Sequence, residues 1–252
     1  MKKTLTLSSA AILAIALAGA AAPIVNADGL GAQIDANGAA TSYVTSGQVS
    51  FTAPDITTPV DPGTVDPEGP TLPVQPGLLA VDYVSNLDFG SHKMSSNDQV
   101  YAASADSTYG VDNIAWHDVR PAGDDGKALG YNITVTQDDD FKDANGNTLT
   151  GAQVTLNKAN VVWEGSTAAP GTNAQPTASQ NIQPTTGQAV AVATAAAGQG
   201  FGQYGIKFGS ASDYSADNTT GPITIAVPGA TQKTASAYTT TYTWSINNTP
   251  AN

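Results

Sequence analysis

The chain has no cysteine among its 252 residues. A protein without cysteine forms no disulfide, carries no thioether-linked lipid and has neither a thiolate nucleophile nor a thiolate metal ligand. Its stability must therefore come from an apolar core, and a domain of about 150 to 200 residues is large enough to bury one.

Basic residues are also scarce. Lys and Arg number 9 against 21 Asp and Glu, giving a formal net charge of −12, and Lys2 and Lys3 lie at the extreme N-terminus. Such a chain has no basic patch for nucleic acid or anionic lipid, and it is repelled by polyanionic polymers. We expect no nucleic-acid partner, and we expect any binding surface to act through shape and hydrogen bonds.

The sequence contains one long apolar run, Ala10 to Ala22, which follows Lys2 and Lys3 and precedes Val25-Asn26-Ala27. This order predicts a signal peptide over 1–27 that is cleaved after Ala27, so the protein is expected to be secreted. A transmembrane anchor is the alternative, but the run is short and rich in alanine. No hydrophobic tail follows the last apolar position, Ile246, so we expect no covalent anchor at that end.

Residues 28–76 have the composition of an extended N-terminal arm and spacer. Asp28 to Ala40 shows no apolar period, so we expect a flexible arm there. Val44 to Thr52 predicts one strand or a hairpin through Ser46-Gly47. Seven prolines then recur every three to five residues between Pro54 and Pro76, which favours a polyproline-like spacer. We place a domain boundary near Gly77.

Residues 77–252 predict an all-β domain, a β-sandwich of immunoglobulin-like or Greek-key type. Short alternating apolar segments are separated by turn-forming clusters such as Asp143-Ala144-Asn145-Gly146-Asn147. Ala189 to Ala197 is either a strand or a short helix. The other predicted strands are Leu79–Val84, Asn113–Val119, Tyr131–Thr136, Ala152–Leu156, Val161–Trp163, Ile223–Val227 and Tyr238–Ile246.

Two of these strands contain short motifs that resemble those of a known domain family. Tyr131-Asn132-Ile133 and Trp244-Ser245-Ile246, the latter after a Tyr-Thr-rich segment, resemble the proximal and distal motifs of the WxL domain of Gram-positive surface proteins. Neither motif has the exact Trp-x-Leu sequence, because Tyr replaces Trp in the proximal motif and Ile replaces Leu in both. The resemblance extends in order from Leu78 to Pro250, and a proline-rich spacer before the domain is typical of the family.

The resemblance implies non-covalent attachment to the cell wall, chiefly to peptidoglycan, and a location at the cell surface. It also implies partners among membrane-anchored proteins that interact with WxL domains, so that the chain is a subunit of a surface complex. An adhesin for host matrix proteins or mucus is an alternative from another class, and a secreted glycan hydrolase is a third.

The candidate binding residues fall into two sets. Tyr131, Ile133, Trp244 and Ile246 belong to the two motifs, and because Tyr131 and Trp244 share strand faces with aliphatic residues, burial is favoured for both. Three more candidates lie nearer to polar turns, where exposed contacts with a ligand are more plausible: Trp116, Arg120 and Trp163.

Charged groups give little support for a metal or for catalysis. Asp118 and Arg120 are two apart and favour a structural ion pair over a grip on a ligand carboxylate. The acidic stretch from Asp138 to Asn147 lacks the spacing of an EF-hand and favours a hairpin turn over a calcium site. His92 and His117 stand in separate segments without a nucleophile motif, so we expect no cofactor and no enzymatic activity.

Overall fold

Apolar and polar residues alternate along most of the chain, and this alternation produces strands that bury one face. The computed structural model describes residues 31–34, 40–44, 77–165, 168–171 and 174–249, which include a short 3-10 helix at Ala211–Asp213 and no α-helix. The predicted signal peptide, the proline-rich spacer and most of Val44 to Thr52 lie outside these residues. The strands are β1 (Gly31–Ile34), β2 (Ala40–Val44), β3 (Leu79–Val84), β4 (Gln99–Ala102), β5 (Asn113–Asp118), β6 (Tyr131–Gln137), β7 (Gln153–Leu156), β8 (Ala159–Trp163), β9 (Thr177–Ala178), β10 (Val190–Ala195), β11 (Gly202–Phe208), β12 (Ile223–Val227) and β13 (Tyr242–Asn247).

The chain divides into two units, Met1–Thr52 and Ala53–Asn252. In the first unit β1 and β2 pair antiparallel, with Gly31 opposite Val44 and a bulge between Gln33 and Ile34. The expectation of an arm without regular structure over Asp28 to Ala40 is therefore wrong at these strands. Backbone pairing needs no apolar period, so the side-chain pattern gave no signal for it. The boundary near Gly77 stays a prediction.

The described residues of the second unit form three antiparallel sheets. The motif sheet has the strand order β13-β6-β10-β9, the facing sheet β3-β5-β11-β8 and the small sheet β4-β12-β7. The motif and facing sheets lie against each other, because β13 contacts β3, β9 contacts β8, and side chains of β5 and β6 meet between the sheets. One buried cluster includes residues of all three sheets. The expected all-β sandwich is confirmed, with the small sheet as an addition.

Most predicted strands are present within a residue or two of their expected bounds. The ambiguous segment Ala189 to Ala197 contains a strand, and the last strand begins at Tyr242 because Thr239 forms only an isolated bridge to Lys142. In the second unit, three strands were not predicted from the sequence: β4, β9 and β11. The most important is β11, a central strand whose apolar pattern is interrupted by glycines at its start and middle. Among the described residues no helix is long and apolar enough to cross a membrane.

Strand β5 is buried along its whole length, including its polar residues. The imidazole of His117 is fully buried, with Nδ1 2.8 Å from Asp82 Oδ2 and Nε2 3.0 Å from the Gly77 carbonyl. Asp82 lies where the register between β3 and β5 shifts, which is the position of a bulge. Both ring nitrogens face acceptors, so the protonated imidazolium fits this site best, and it ties the beginning of β3 to β5.

Burial alone would lower the pKa of His117, but its hydrogen bonds to Asp82 and to the Gly77 carbonyl outweigh burial and raise the pKa. Asp112, just before β5, is also buried, and neither of its carboxylate oxygens has a hydrogen-bond partner among the described residues. Burial, reinforced by the negative charge of Asp106, raises the pKa of Asp112 to about 7. Both groups therefore favour the protonated form in the folded protein.

We predict that the free energy of unfolding increases as the pH falls from about 8 to about 5. Between the ordinary Asp value of 3.8 and about 7, the folded chain holds a proton on Asp112 that the unfolded chain has released. The His117 contribution is complete below 6.5 and is lost as the pH rises through its raised folded pKa. At lower pH the trend reverses, because acceptors such as Asp213, whose pKa is lowered to about 2 chiefly by Lys158, begin to protonate. Thermal unfolding across this pH range measures the profile.

The variant Asp112→Asn provides the check, since it removes the buried charge and keeps the shape of the side chain. It should raise the melting temperature at neutral pH by several degrees and flatten the profile. The control is Asp125→Asn, because the Asp125 side chain is 61% exposed and should leave the profile unchanged. A profile that keeps its slope in Asp112→Asn would contradict this assignment.

Candidate functional site

The two motif segments lie side by side in the motif sheet. Strands β6 and β13 are antiparallel neighbours, with Ile246 opposite Ile133, Trp244 opposite Val135 and Asn247 opposite Asn132. The segments are more than a hundred residues apart in the chain, and only this pairing brings them together. The structure thus places four of the predicted site residues on one face of one sheet: Tyr131, Ile133, Trp244 and Ile246.

That shared face points into the core. Tyr131 and Ile133 have no solvent exposure, while Trp244 and Ile246 are half-buried and pack against the same cluster. The burial expected for Tyr131 is confirmed, and that expected for Trp244 is partial. The apolar motif residues hold the sheet in the sandwich, which leaves the opposite, polar face of β6 and β13 directed outward.

Trp116 is not an exposed contact residue, and that expectation is wrong. It is 1% exposed, its Nε1 donates to Tyr131 Oη at 2.6 Å, and its ring stacks with that of Tyr204 at a centroid distance of 6.3 Å. The nearby polar turn did not imply exposure, because β5 is an inner strand covered on both faces. Trp116 joins the facing sheet to the motif sheet.

The Arg120 side chain is held in a structural ion pair. Its Nε and Nη2 donate to Asp118 Oδ1 and Oδ2, each at 2.8 Å, and Nη2 also donates to the Gly130 carbonyl at 2.7 Å. Asp118 is buried, and the Arg120 side chain is only 12% exposed. The predicted ion pair is confirmed. It closes the connection between β5 and β6 and fixes the residue that immediately precedes Tyr131.

Trp163 at the end of β8 is half-buried. Its ring meets Tyr204 edge to face at 5.1 Å and lies so close to Gly165 and Gly202 that a Cβ on either glycine would overlap it. Gly202 also has a φ of +115°, a conformation that favours glycine. Trp163 thus keeps part of its surface accessible, unlike Trp116, and its role in binding stays a prediction.

The acidic stretch forms the expected turn. Asp143 accepts hydrogen bonds from the Asn147 side chain, from the backbone of Asn145 and Asn147, and from the hydroxyls of Thr234 and Ser236. These bonds, led by that of the Asn147 amide, lower the pKa of Asp143. The carboxylate therefore ties the turn to the segment before β13. Across the described ranges, no group of three or more His, Cys, Asp or Glu side chains is arranged to hold a metal ion.

The histidines are used structurally. His117 bridges Asp82 and Gly77, and His92 stacks on Tyr101 at 3.8 Å and bonds the Phe89 carbonyl. Sequence reasoning missed the Asp82–His117 pair. The two residues are 35 positions apart, and only the pairing of β3 with β5, shifted by the bulge, aligns them.

The comparisons with known proteins gave one result. A family model described as "WxL domain surface cell wall-binding" matches residues 38–250, which includes both motif strands and the whole described sandwich. A search of curated proteins found no match, and neither did a search of solved structures.

We predict that Tyr131→Phe destabilises the domain by about 1–3 kcal/mol, because it leaves the Trp116 N–H buried without its acceptor. Tyr204→Phe is the matched control. Tyr204 is equally buried and also touches Trp116. Its hydroxyl bonds only the Ala174 carbonyl among the described residues, at 3.5 Å, so its loss should cost less than about 1 kcal/mol. Denaturant unfolding measures both variants. Equal losses would mean that the Trp116–Tyr131 bond contributes nothing specific.

Proposed function

Since the chain belongs to the WxL domain surface cell wall-binding family and is thus a cell-surface protein that binds the cell wall, we propose that it attaches non-covalently to peptidoglycan. The attachment is made by the sandwich of residues 77–252. The observation that supports this proposal most directly is the register of β6 and β13, which joins the two family motifs in one sheet.

The charge of the protein favours binding by shape rather than by bulk attraction. With a net charge of −12, the chain gains nothing from general attraction to anionic wall polymers. Arg120 is paired with Asp118, and the Lys233 ammonium is held by four backbone carbonyls, those of Ser95, Pro228, Gly229 and Thr231. Binding should therefore resist salt, because it depends on short-range hydrogen bonds and contacts.

The proposed role is binding and not hydrolysis of the wall. A glycoside hydrolase uses two carboxyl groups on either side of the scissile bond, one of them with a raised pKa. Asp112 has such a pKa, but its carboxyl is buried at 1% residue exposure and cannot reach a polymer. Asp213, which is half-buried, is engaged by Lys158 and has a lowered pKa instead.

We predict that the mature chain co-sediments with washed, teichoic-acid-free peptidoglycan at both low and high salt, and leaves the glycan intact. An unrelated acidic protein of similar size is the control for trapping in the pellet. Clearing of the peptidoglycan suspension would identify a hydrolase. Absence of pelleting would overturn direct wall binding and assign the attachment to a protein partner.

We further propose that the protein is a small subunit of a surface complex with membrane-anchored partners. The support is the share of the chain taken by the wall-binding sandwich, which leaves only about 50 residues between the predicted leader and Gly77. This is little for an independent adhesive domain.

Mild cross-linking on intact cells should co-purify a membrane-anchored or wall-anchored protein with this chain. Recovery of the chain alone would contradict the subunit role. An adhesin for host matrix would instead bind collagen or fibronectin while its wall site is occupied by soluble peptidoglycan fragments, and that binding assay separates the two roles.

A further inference from the structure

The outward face of the motif sheet differs from the rest of this acidic protein. On β6 and β13 it consists of six polar, uncharged residues, and we call them the hydroxyl face: Asn132, Thr134, Thr136, Thr243, Ser245 and Asn247. Thr194 of β10 extends it, since Thr194 pairs with Asn132. Within the described strands β6, β10 and β13, no outward position is charged.

The hydroxyls on this face are available for binding. Among the described residues, the side chains of Thr134, Thr136, Thr243 and Ser245 have no hydrogen-bond partner within the chain. Each hydroxyl can both donate and accept. The two asparagines are partly used, because Asn132 Nδ2 donates to the Thr249 carbonyl and Asn247 Oδ1 accepts from the Thr249 N–H. The face is therefore an array of unpaired neutral donors and acceptors.

The array is regular and rigid. Ser245 lies opposite Thr134, and Thr243 lies opposite Thr136. Neighbouring strands are about 4.8 Å apart, and successive outward residues on one strand are about 6.8 Å apart. The inward residues of the same strands, from Tyr131 to Trp244, pack in the core and hold the strands in place. A ligand thus meets groups at fixed spacings and need not order them on binding.

We propose that the hydroxyl face binds the glycan strand of peptidoglycan, an uncharged, extended polysaccharide that carries hydroxyl and acetamido groups. This inference rests on the proposed function and names its site and ligand chemistry. The match is one of charge and of hydrogen bonding: a neutral face on an acidic protein meets a neutral polymer whose groups both donate and accept.

The surroundings of the face disfavour charged parts of the wall. Asp138, Asp139 and Asp140 follow β6 directly, and Asp138 accepts a hydrogen bond from Thr241 Oγ1 at 2.8 Å just before β13. Anionic polymers are repelled at that end. The carboxylates of stem peptides find no cationic partner on the outward positions of β6, β10 and β13.

The test uses the mature chain and the double variant Thr134→Val/Ser245→Ala, which removes two hydroxyls and keeps residues that strands tolerate. Its matched control is Thr224→Val, because Thr224, like Thr134, is half-buried and outward on an inner strand, here the central strand of the small sheet. Binding to insoluble peptidoglycan is measured with and without two soluble competitors: oligomers of N-acetylglucosamine, which carry the hydroxyl and acetamido groups without charge, and stem peptides released from peptidoglycan by an amidase. Thermal unfolding verifies that all variants fold.

We expect the double variant to bind at least about tenfold more weakly than the wild type, and Thr224→Val to stay within about twofold. The N-acetylglucosamine oligomers should compete and stem peptides should not. Equal binding by the folded double variant, or competition by stem peptides alone, would overturn the glycan assignment and leave the proposed function standing. Failure of the wild type to bind peptidoglycan at all would overturn both.

Discussion

The fold depends on the packing of aromatic side chains between the two large sheets. The indole of Trp116 on β5 donates to the hydroxyl of Tyr131 on β6, and its ring stacks on Tyr204 of β11. A chain without cysteine has no covalent cross-link to hold its sheets together. In place of such a cross-link, this buried cluster joins the motif sheet to the facing sheet, with a satisfied hydrogen bond at its centre.

That packing also decides which groups remain for binding. The residues by which the motifs are recognised point into the core: Tyr131, Ile133, Trp244 and Ile246. Their role is therefore to hold the motif sheet in the sandwich. Replacement of Trp by Tyr at 131 is compatible with this role, since the Tyr hydroxyl accepts a bond from Trp116. The middle residue of each motif, Asn132 or Ser245, points to the outer face of the sheet and provides polar groups there.

The distribution of charge also differs between the core and the surface of the protein. Some buried charges are paired, as in Asp82 with His117 and Asp118 with Arg120. The carboxylate of Asp143 is held by hydrogen bonds, and the pKa of the buried Asp112 is raised, which favours its neutral form. The exposed acidic residues give the protein its net charge, while the hydroxyl face stays neutral. An acidic protein can therefore bind a wall rich in anionic polymers through short-range contacts, because its neutral face carries no repulsion of its own.

The sequence by itself determined the strand class, most of the strands and the family, because period-two alternation and turn residues such as those of the Asp143 loop act locally. It also favoured the Asp118–Arg120 pair, whose partners are two residues apart. Only the tertiary structure decided that Trp116 is buried, that Asp82 reaches His117 and that β11 is a central strand. The hydroxyl face likewise exists only through the pairing of β6 with β13. These features depend on which strands become neighbours, and that choice is made by core packing between residues far apart in the chain.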